Sequence, residues 1–181
     1  MLKIFVLGTE YFDEKTETFE SVGDVELKLE HSLISLSKWE SKHKKPFLSQ
    51  TAKSNQETFS YIEAMIISPK SYPDDLFTRF DKSNLDTITE YIESTESATT
   101  FGSMPERRGR GETITSELIY YWMIAFNIPF ECERWHLNRL FALIRICNIK
   151  TSKPKKMSRN EIAQRNRELN AKRKAELGTK G

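Results

Sequence analysis

Cys132 and His136 are the side chains whose types and spacing come nearest to a reactive or metal-binding site. Four residues apart on a helix, they would share one face, where a thiol and an imidazole can ligate zinc or form a nucleophile pair. A zinc site needs more ligands, and only Glu131, Glu133 and Cys147 are near in sequence. No third residue can be nominated to orient a nucleophile. We therefore expect a packed cysteine and a partly exposed histidine on one helix, with no metal or cofactor.

Other catalytic signals are missing from the sequence. The phosphate-binding patterns GxxxxGK[ST] and GxGxxG and the zinc-protease pattern HExxH do not occur. The Arg- and Gly-containing stretch ERRGRGE, residues 106–112, lacks the strand, helix and lysine that would make it a phosphate cradle. We therefore expect a protein that is not an enzyme and has no catalytic residues.

Aromatic residues are concentrated in the most apolar part of the chain. Residues 114–128 (ITSELIYYWMIAFNI) are apolar nearly all round, which predicts a helix buried in the core. The aromatics of this region could line a ligand site, but their helical spacing favours core packing; they are Tyr120, Tyr121, Trp122, Phe126, Trp135 and Phe141. Trp39 could anchor a partner, but we favour packing of Trp39 against this apolar part of the C-terminal half.

Charge is divided unevenly along the chain. Residues 1–148 carry 17 basic and 23 acidic side chains, a net charge of −6, whereas residues 149–181 carry 11 and three, a net charge of +8. A basic tail on an acidic body is typical of proteins whose tail contacts something acidic: nucleic acid, another protein or a second copy. The tail has no aromatic for base stacking and no base-recognition motif, so a protein partner is favoured. The candidate partner-binding residues are Lys155, Lys156, Arg159, Ile162, Arg165, Arg167, Leu169, Lys172, Arg173 and Lys174.

The elements that must position these residues begin with β structure. The apolar run from Leu2 to Leu7 and the alternation of residues 25–30 predict strands, with a polar turn at residues 13–16. From His31 the periodicity becomes helical and carries Trp39 before Pro46. Ser54 and Glu57 have capping-box spacing, and further helix starts are expected at residues 73–75 and 83–86.

The C-terminal half predicts a helical pair bent at Pro129, with acidic residues starting the second helix, and we expect this pair at the centre of the fold. Residues 94–113, rich in Ser, Thr and Gly, predict a mobile loop. A basic hinge over residues 150–156 leads to a helix that starts at Ser158 and is closed by Gly178. Its apolar seam, Ile162 and Leu169, is too thin for a buried helix, so it should project.

Together these patterns predict a mainly α-helical α+β fold with an N-terminal β-hairpin or small antiparallel sheet, a helical core and an extended basic C-terminal helix. We expect an acidic globular domain over residues 1–149 and a basic hinge and helix over residues 150–181. Two cysteines, the lack of a convincing signal peptide and the lack of any apolar run near 20 residues favour a soluble cytoplasmic protein with no membrane contact.

Two long strings resemble a known family. Residues 115–150 (TSELIYYWMIAFNIPFECERWHLNRLFALIRICNIK) with the following KKMSRNEIAQRNRELNAKRKAELGTKG resemble the C-terminal half of tail assembly chaperone-type proteins of long-tailed actinobacterial phages. Residues 25–49 (VELKLEHSLISLSKWESKHKKPFLS) resemble their N-terminal half. The resemblance covers most of the chain and is least distinctive near residues 94–113.

The resemblance implies a non-enzymatic protein of the infected host cytoplasm. Such chaperones coat the helical tape measure protein and keep it soluble until tail-tube subunits polymerise around it, and self-association is expected. A second possibility is a structural component of the phage tail, neck or baseplate, which would stay in the virion. A third is a nucleic-acid-binding accessory protein that uses the basic helix.

Overall fold

The computed structural model describes residues 1–13, 17–49, 51–101, 113–152 and 159–178. Over these residues the protein is a mainly α-helical α+β fold, which confirms the predicted fold class, with six α-helices, two short 3₁₀ helices and five strands. Contacts divide the chain into two units, Met1–Asn148 and Ile149–Gly181.

Three strands form an antiparallel sheet in the order β1-β4-β5. They are β1 (Leu2–Val6), β4 (Val25–Leu29) and β5 (Ile66–Ser68). The sequence predicts the first two, and their alternate residues are buried, with Leu27 and Leu29 fully so. The sequence pattern does not predict β5. The following Pro69 disfavours helical geometry at Ser68, and the chain extends to pair with β4 instead.

The other two strands, β2 (Thr9–Asp13) and β3 (Thr18–Val22), pair as an antiparallel hairpin. Phe12 lies opposite Phe19, with ring centroids 5.2 Å apart. Gly8 joins β1 to β2 at a point where the chain passes close to the carbonyl oxygen of Val22. A Cβ at this position would overlap that oxygen, so a glycine is required. Most of the predicted polar turn, residues 14–16, lies outside the described residues.

The first helical block comprises α1 (Leu33–His43), α2 (Asn55–Met65), a 3₁₀ helix (Leu76–Arg79) and α3 (Lys82–Glu93). The capping box predicted for α2 is confirmed: Glu57 N–H donates to Ser54 Oγ at 3.2 Å, and Ser54 N–H donates to Glu57 Oε2 at 2.9 Å. The start predicted at residues 73–75 yields only the 3₁₀ helix. α3 begins at Lys82 because Asp81 caps it through the N–H of Asn84.

The second block comprises α4 (Ser116–Ala125), a 3₁₀ helix (Phe130–Arg134) and α5 (Leu137–Thr151). The predicted break at Pro129 is confirmed, but the acidic residues after it begin the 3₁₀ helix and not α5. Residues 94–101 contain no helix or strand, and residues 102–112 of the predicted loop lie outside the described part. The predicted hinge is wrong at its start, since α5 continues through Thr151.

The second unit contains α6 (Arg159–Leu177). Gly178 follows it with a φ of 62°, the left-handed conformation expected of a closing glycine. The predicted start at Ser158 and the hinge residues 153–156 are outside the described residues.

Helix α1 is shared by two apolar clusters, so it and not the α4–α5 pair is central to the fold. Leu33 and Leu36 pack with α4 and α5, whereas Trp39 packs with the sheet and α2. Trp39 is buried, and its indole N–H donates to the carbonyl oxygen of Glu57 at 2.9 Å. The expectation that Trp39 packs against the second block was therefore wrong, because the side chain is held by the first.

The buried carboxylate of Glu40 connects α1 to the start of α4. Oε1 accepts the Phe47 N–H at 2.8 Å, and Oε2 accepts the Ser116 N–H at 2.7 Å. Ser116 is the first residue of α4, so the carboxylate satisfies an unpaired helix N–H and lies at the positive end of the helix dipole. One side chain thus fixes where α4 begins relative to α1.

Glu40→Ala should lower the free energy of unfolding by about 2–5 kcal/mol, because the buried Ser116 N–H and the partly buried Phe47 N–H lose their acceptors. Glu40→Gln, which keeps one acceptor oxygen, should cost less. The control is Glu63→Ala, which removes only an exposed ion pair with Lys42 and should cost less than about 1 kcal/mol. Urea unfolding at pH 7 measures all three variants, and equal losses for Glu40→Ala and Glu63→Ala would contradict the role of Glu40.

Four aromatic rings meet where the two blocks join. The His31 and His136 rings are 4.9 Å apart, and His31 Nδ1 is 2.6 Å from the Tyr61 hydroxyl. The Leu137 N–H donates to the His31 carbonyl at 2.8 Å, and His136 Nε2 donates to the Tyr91 carbonyl at 2.8 Å. Burial, and to a smaller extent the neighbouring His136, lowers the pKa of His31 to about 4.

Acid should therefore destabilise this junction. The folded protein holds His31 neutral, whereas the unfolded chain binds its proton at the ordinary pKa of 6.5. His31 therefore leaves the free energy of unfolding unchanged above about pH 6.5. As the pH falls from 6.5 to 4, the free energy of unfolding decreases by about 3 kcal/mol.

His31→Asn should flatten the decline of unfolding free energy between pH 6.5 and pH 4, measured by urea unfolding across that range. His43→Asn is the control, since His43 lies half-buried on α1 and contacts Ser60. Parallel curves for the wild type and His31→Asn would show that His31 does not cause the decline.

Candidate interaction surface

Helix α4 buries one side and exposes the other. Ser116, Ile119 and Met123 are buried at helical spacing, whereas Tyr121 and Ile124 on the opposite side are 63% and 61% exposed. The prediction that this helix is buried in the core is therefore wrong for its exposed side. In unit Met1–Asn148 the helix packs against α1 and α5 on its buried side, and we call the exposed side, with Tyr121 and Ile124, the outward face of α4.

Tyr120 and Phe130 flank this outward face. The Tyr120 hydroxyl donates to Glu133 Oε2 at 2.9 Å, and burial together with that carboxylate raises the pKa of Tyr120 to about 12. The phenol therefore stays protonated and holds the 3₁₀ helix against α4 at neutral pH. Phe130, which follows Pro129, is 55% exposed and extends the apolar surface.

The other flank opens into a groove between α4 and α5. The groove has a volume of about 440 Å³. Trp122 and Phe126 line it from the α4 side, and Phe141, Ile144, Arg145 and Asn148 line it from α5. We call it the α4–α5 groove. It is concave and mostly apolar, as binding sites usually are.

Arg145 is the charged residue of the groove lining. Its guanidinium lies 4.1 Å from the centre of the Phe101 ring. Arg139, six residues earlier on α5, makes the equivalent contact with Trp135 at 4.3 Å. Each arginine is therefore held by an aromatic ring, and only Arg145 belongs to the groove.

The aromatic residues assigned to the core lie mainly at its border. Tyr120, Trp122, Phe126, Trp135 and Phe141 are half-buried, and Tyr121 is exposed. The sequence pattern located an apolar helix correctly but gave no sign of which side its neighbours cover.

The predicted partner-binding residues of the tail come together only as members of α6. The described ones are exposed along this helix, and Ile162 and Leu169 lie two turns apart at 45% and 42% exposure. The exposed described residues are Arg159, Ile162, Arg165, Arg167, Leu169, Lys172, Arg173 and Lys174. Lys155 and Lys156 lie outside the described residues. Partner binding by these residues stays a prediction.

Cys132 and His136 do not share a helix. Cys132 is buried in the 3₁₀ helix, and burial raises the pKa of its thiol. His136 precedes α5, and its Nε2 donates a hydrogen bond to the carbonyl oxygen of Tyr91. Among the residues that the structure describes, no group of three or more His, Cys, Asp or Glu side chains is placed to hold a metal ion. No helix in that part of the chain is long and apolar enough to cross a membrane.

No family model, curated protein or solved structure matches this chain.

Residues on the two sides of α4 should respond differently to substitution. Tyr121→Lys should change the free energy of unfolding by less than about 1 kcal/mol, since its side chain is exposed. Met123→Ala should cost about 2–5 kcal/mol, since it leaves a cavity between α4 and its neighbours. Urea unfolding measures both, and a loss for Tyr121→Lys as large as that for Met123→Ala would show that the outward face is covered in the free protein.

Proposed function

We propose that this protein is a non-enzymatic tail assembly chaperone of a long-tailed phage and that it binds the tape measure protein during tail morphogenesis. The observation that carries the proposal is the outward face of α4, where Tyr121 and Ile124 are exposed beside the α4–α5 groove. Exposed apolar surface of this kind marks protein interaction sites. The resemblance of residues 25–49, 115–150 and 155–181 to such chaperones supplies the tape measure protein as the client.

A helical client suits this surface. A groove between two helices receives the apolar side of a third helix, whose anchors recur every three or four residues. By covering an apolar stretch of the tape measure protein, α4 and its groove would keep that stretch from aggregating. The client would be released when tail-tube subunits take over the same stretch.

Helix α6 supports a second contact. It places exposed cations beside the Ile162 and Leu169 seam, which favours an acidic client segment or the acidic body of a second copy. Such contacts weaken with salt, because exposed charges are screened.

The second candidate is a structural component of the phage tail, neck or baseplate. The same outward face favours it, because permanent assembly would also cover Tyr121 and Ile124. A nucleic-acid-binding role through α6 is the third candidate and has no support beyond the positive charge of that helix.

Co-expression with the tape measure protein tests the client role of α4. We expect the wild type to keep the tape measure protein in the soluble fraction and to co-purify with it. Tyr121→Lys with Ile124→Lys should reduce co-purification at least tenfold, because two charges replace apolar contacts. Phe5→Lys is the matched control, since Phe5 on β1 is 62% exposed, almost as Tyr121 is. Undiminished co-purification by the α4 variant would contradict the proposal.

Mass spectrometry of mature virions and infected-cell lysate separates the first two candidates. A chaperone is abundant in the lysate and missing from the virion. A fixed copy number in each virion would instead make the protein a structural component.

A further inference from the structure

We infer that the α4–α5 groove selects a helical segment that carries a carboxylate beside its apolar side, with Arg145 as the residue that recognises the carboxylate. This inference rests on the proposed function and names the chemistry of the client segment.

The apolar part of the groove sets the shape of the occupant. Trp122 and Phe126 form one wall, and Phe141 and Ile144 form the other. The lining spans the C-terminal end of α4 and about two turns of α5, so the groove receives a short stretch of a helix. A segment that lies along it needs apolar side chains at helical spacing, which an amphipathic helix provides.

Arg145 adds a charge requirement to this shape. Phe141, Arg145 and Asn148 are spaced four and three residues apart, so they lie on one side of α5 and line the groove together. Among the described residues, none of the ion pairs includes Arg145. A partner that brings a basic residue here would place two like charges together.

The contact with Phe101 prepares Arg145 for a carboxylate. The guanidinium carbon lies over the Phe101 ring, 4.1 Å from its centre, and this contact with the ring does not use the N–H groups as hydrogen-bond donors. These N–H groups are the ones that bind a carboxylate through two parallel hydrogen bonds. The ring also limits the rotamers of the long side chain, so less entropy is lost on binding.

Two synthetic helical peptides of 20 or so residues test the inference by fluorescence polarisation. Both carry leucines at the same helical spacing, and they differ only in having glutamate or lysine beside the leucines. We expect the wild type to bind the glutamate peptide at least tenfold more tightly. Arg145→Glu should remove or reverse that preference, and Arg145→Gln should weaken it.

Arg139→Glu is the matched control, because Arg139 lies on the same helix and also contacts an aromatic ring but does not line the groove. It should keep the preference for the glutamate peptide. Circular dichroism would establish that each variant is folded.

The inference would be overturned by no preference in the wild type, by an unchanged preference in Arg145→Glu, or by an equal effect of Arg139→Glu. If the α4 variant still loses the tape measure protein, the proposed function stands without this specificity. If the wild type prefers the glutamate peptide but does not bind the tape measure protein, the groove specificity stands and the proposed client is wrong. A preference for self-association over both peptides would make a second copy the occupant and would also overturn the inference.

Discussion

The buried carboxylate of Glu40 sets the relation between the two helical blocks. It accepts one partly buried N–H from the turn after α1 and one buried N–H from the first residue of α4, so a single side chain satisfies two backbone groups 69 residues apart. Its position on α1 matters because α1 packs against both apolar clusters. Once α4 is fixed at this end, its buried side must face Leu33 and Leu36, and Tyr121 and Ile124 must face outward.

The ring cluster of His31, Tyr61, Tyr91 and His136 provides a second connection between the blocks. Its hydrogen bonds involve backbone carbonyls from both blocks, and burial lowers the pKa of His31, so that His31 is neutral at neutral pH. Two sets of polar contacts thus join the two blocks at defined backbone positions. That arrangement leaves an apolar outward face on α4 and a groove along its flank, a combination that suits a protein whose task is to cover another protein.

Local signals made much of the fold predictable. The capping box at Ser54 and Glu57 and the closing glycine at 178 act within a few residues, so the sequence alone reveals them. β5 depends on pairing with β4 nearly 40 residues earlier, and periodicity contains no information about that. The candidate surface was missed for a similar reason: an all-apolar helix indicates burial, but only the packed structure shows which side other elements cover. Arg145 gave no signal, since its ring partner Phe101 lies in another segment.

The central claim is that a protein partner covers the outward face of α4. Hydroxyl-radical footprinting of this protein, free and in complex with the tape measure protein, measures it directly, because modification reports the exposure of single side chains. The account predicts strong protection of Tyr121, Trp122 and Phe130 in the complex and unchanged modification of Phe5 and Phe19. Protection confined to Phe5, Phe12 and Phe19, with Tyr121 modified as in the free protein, would contradict it.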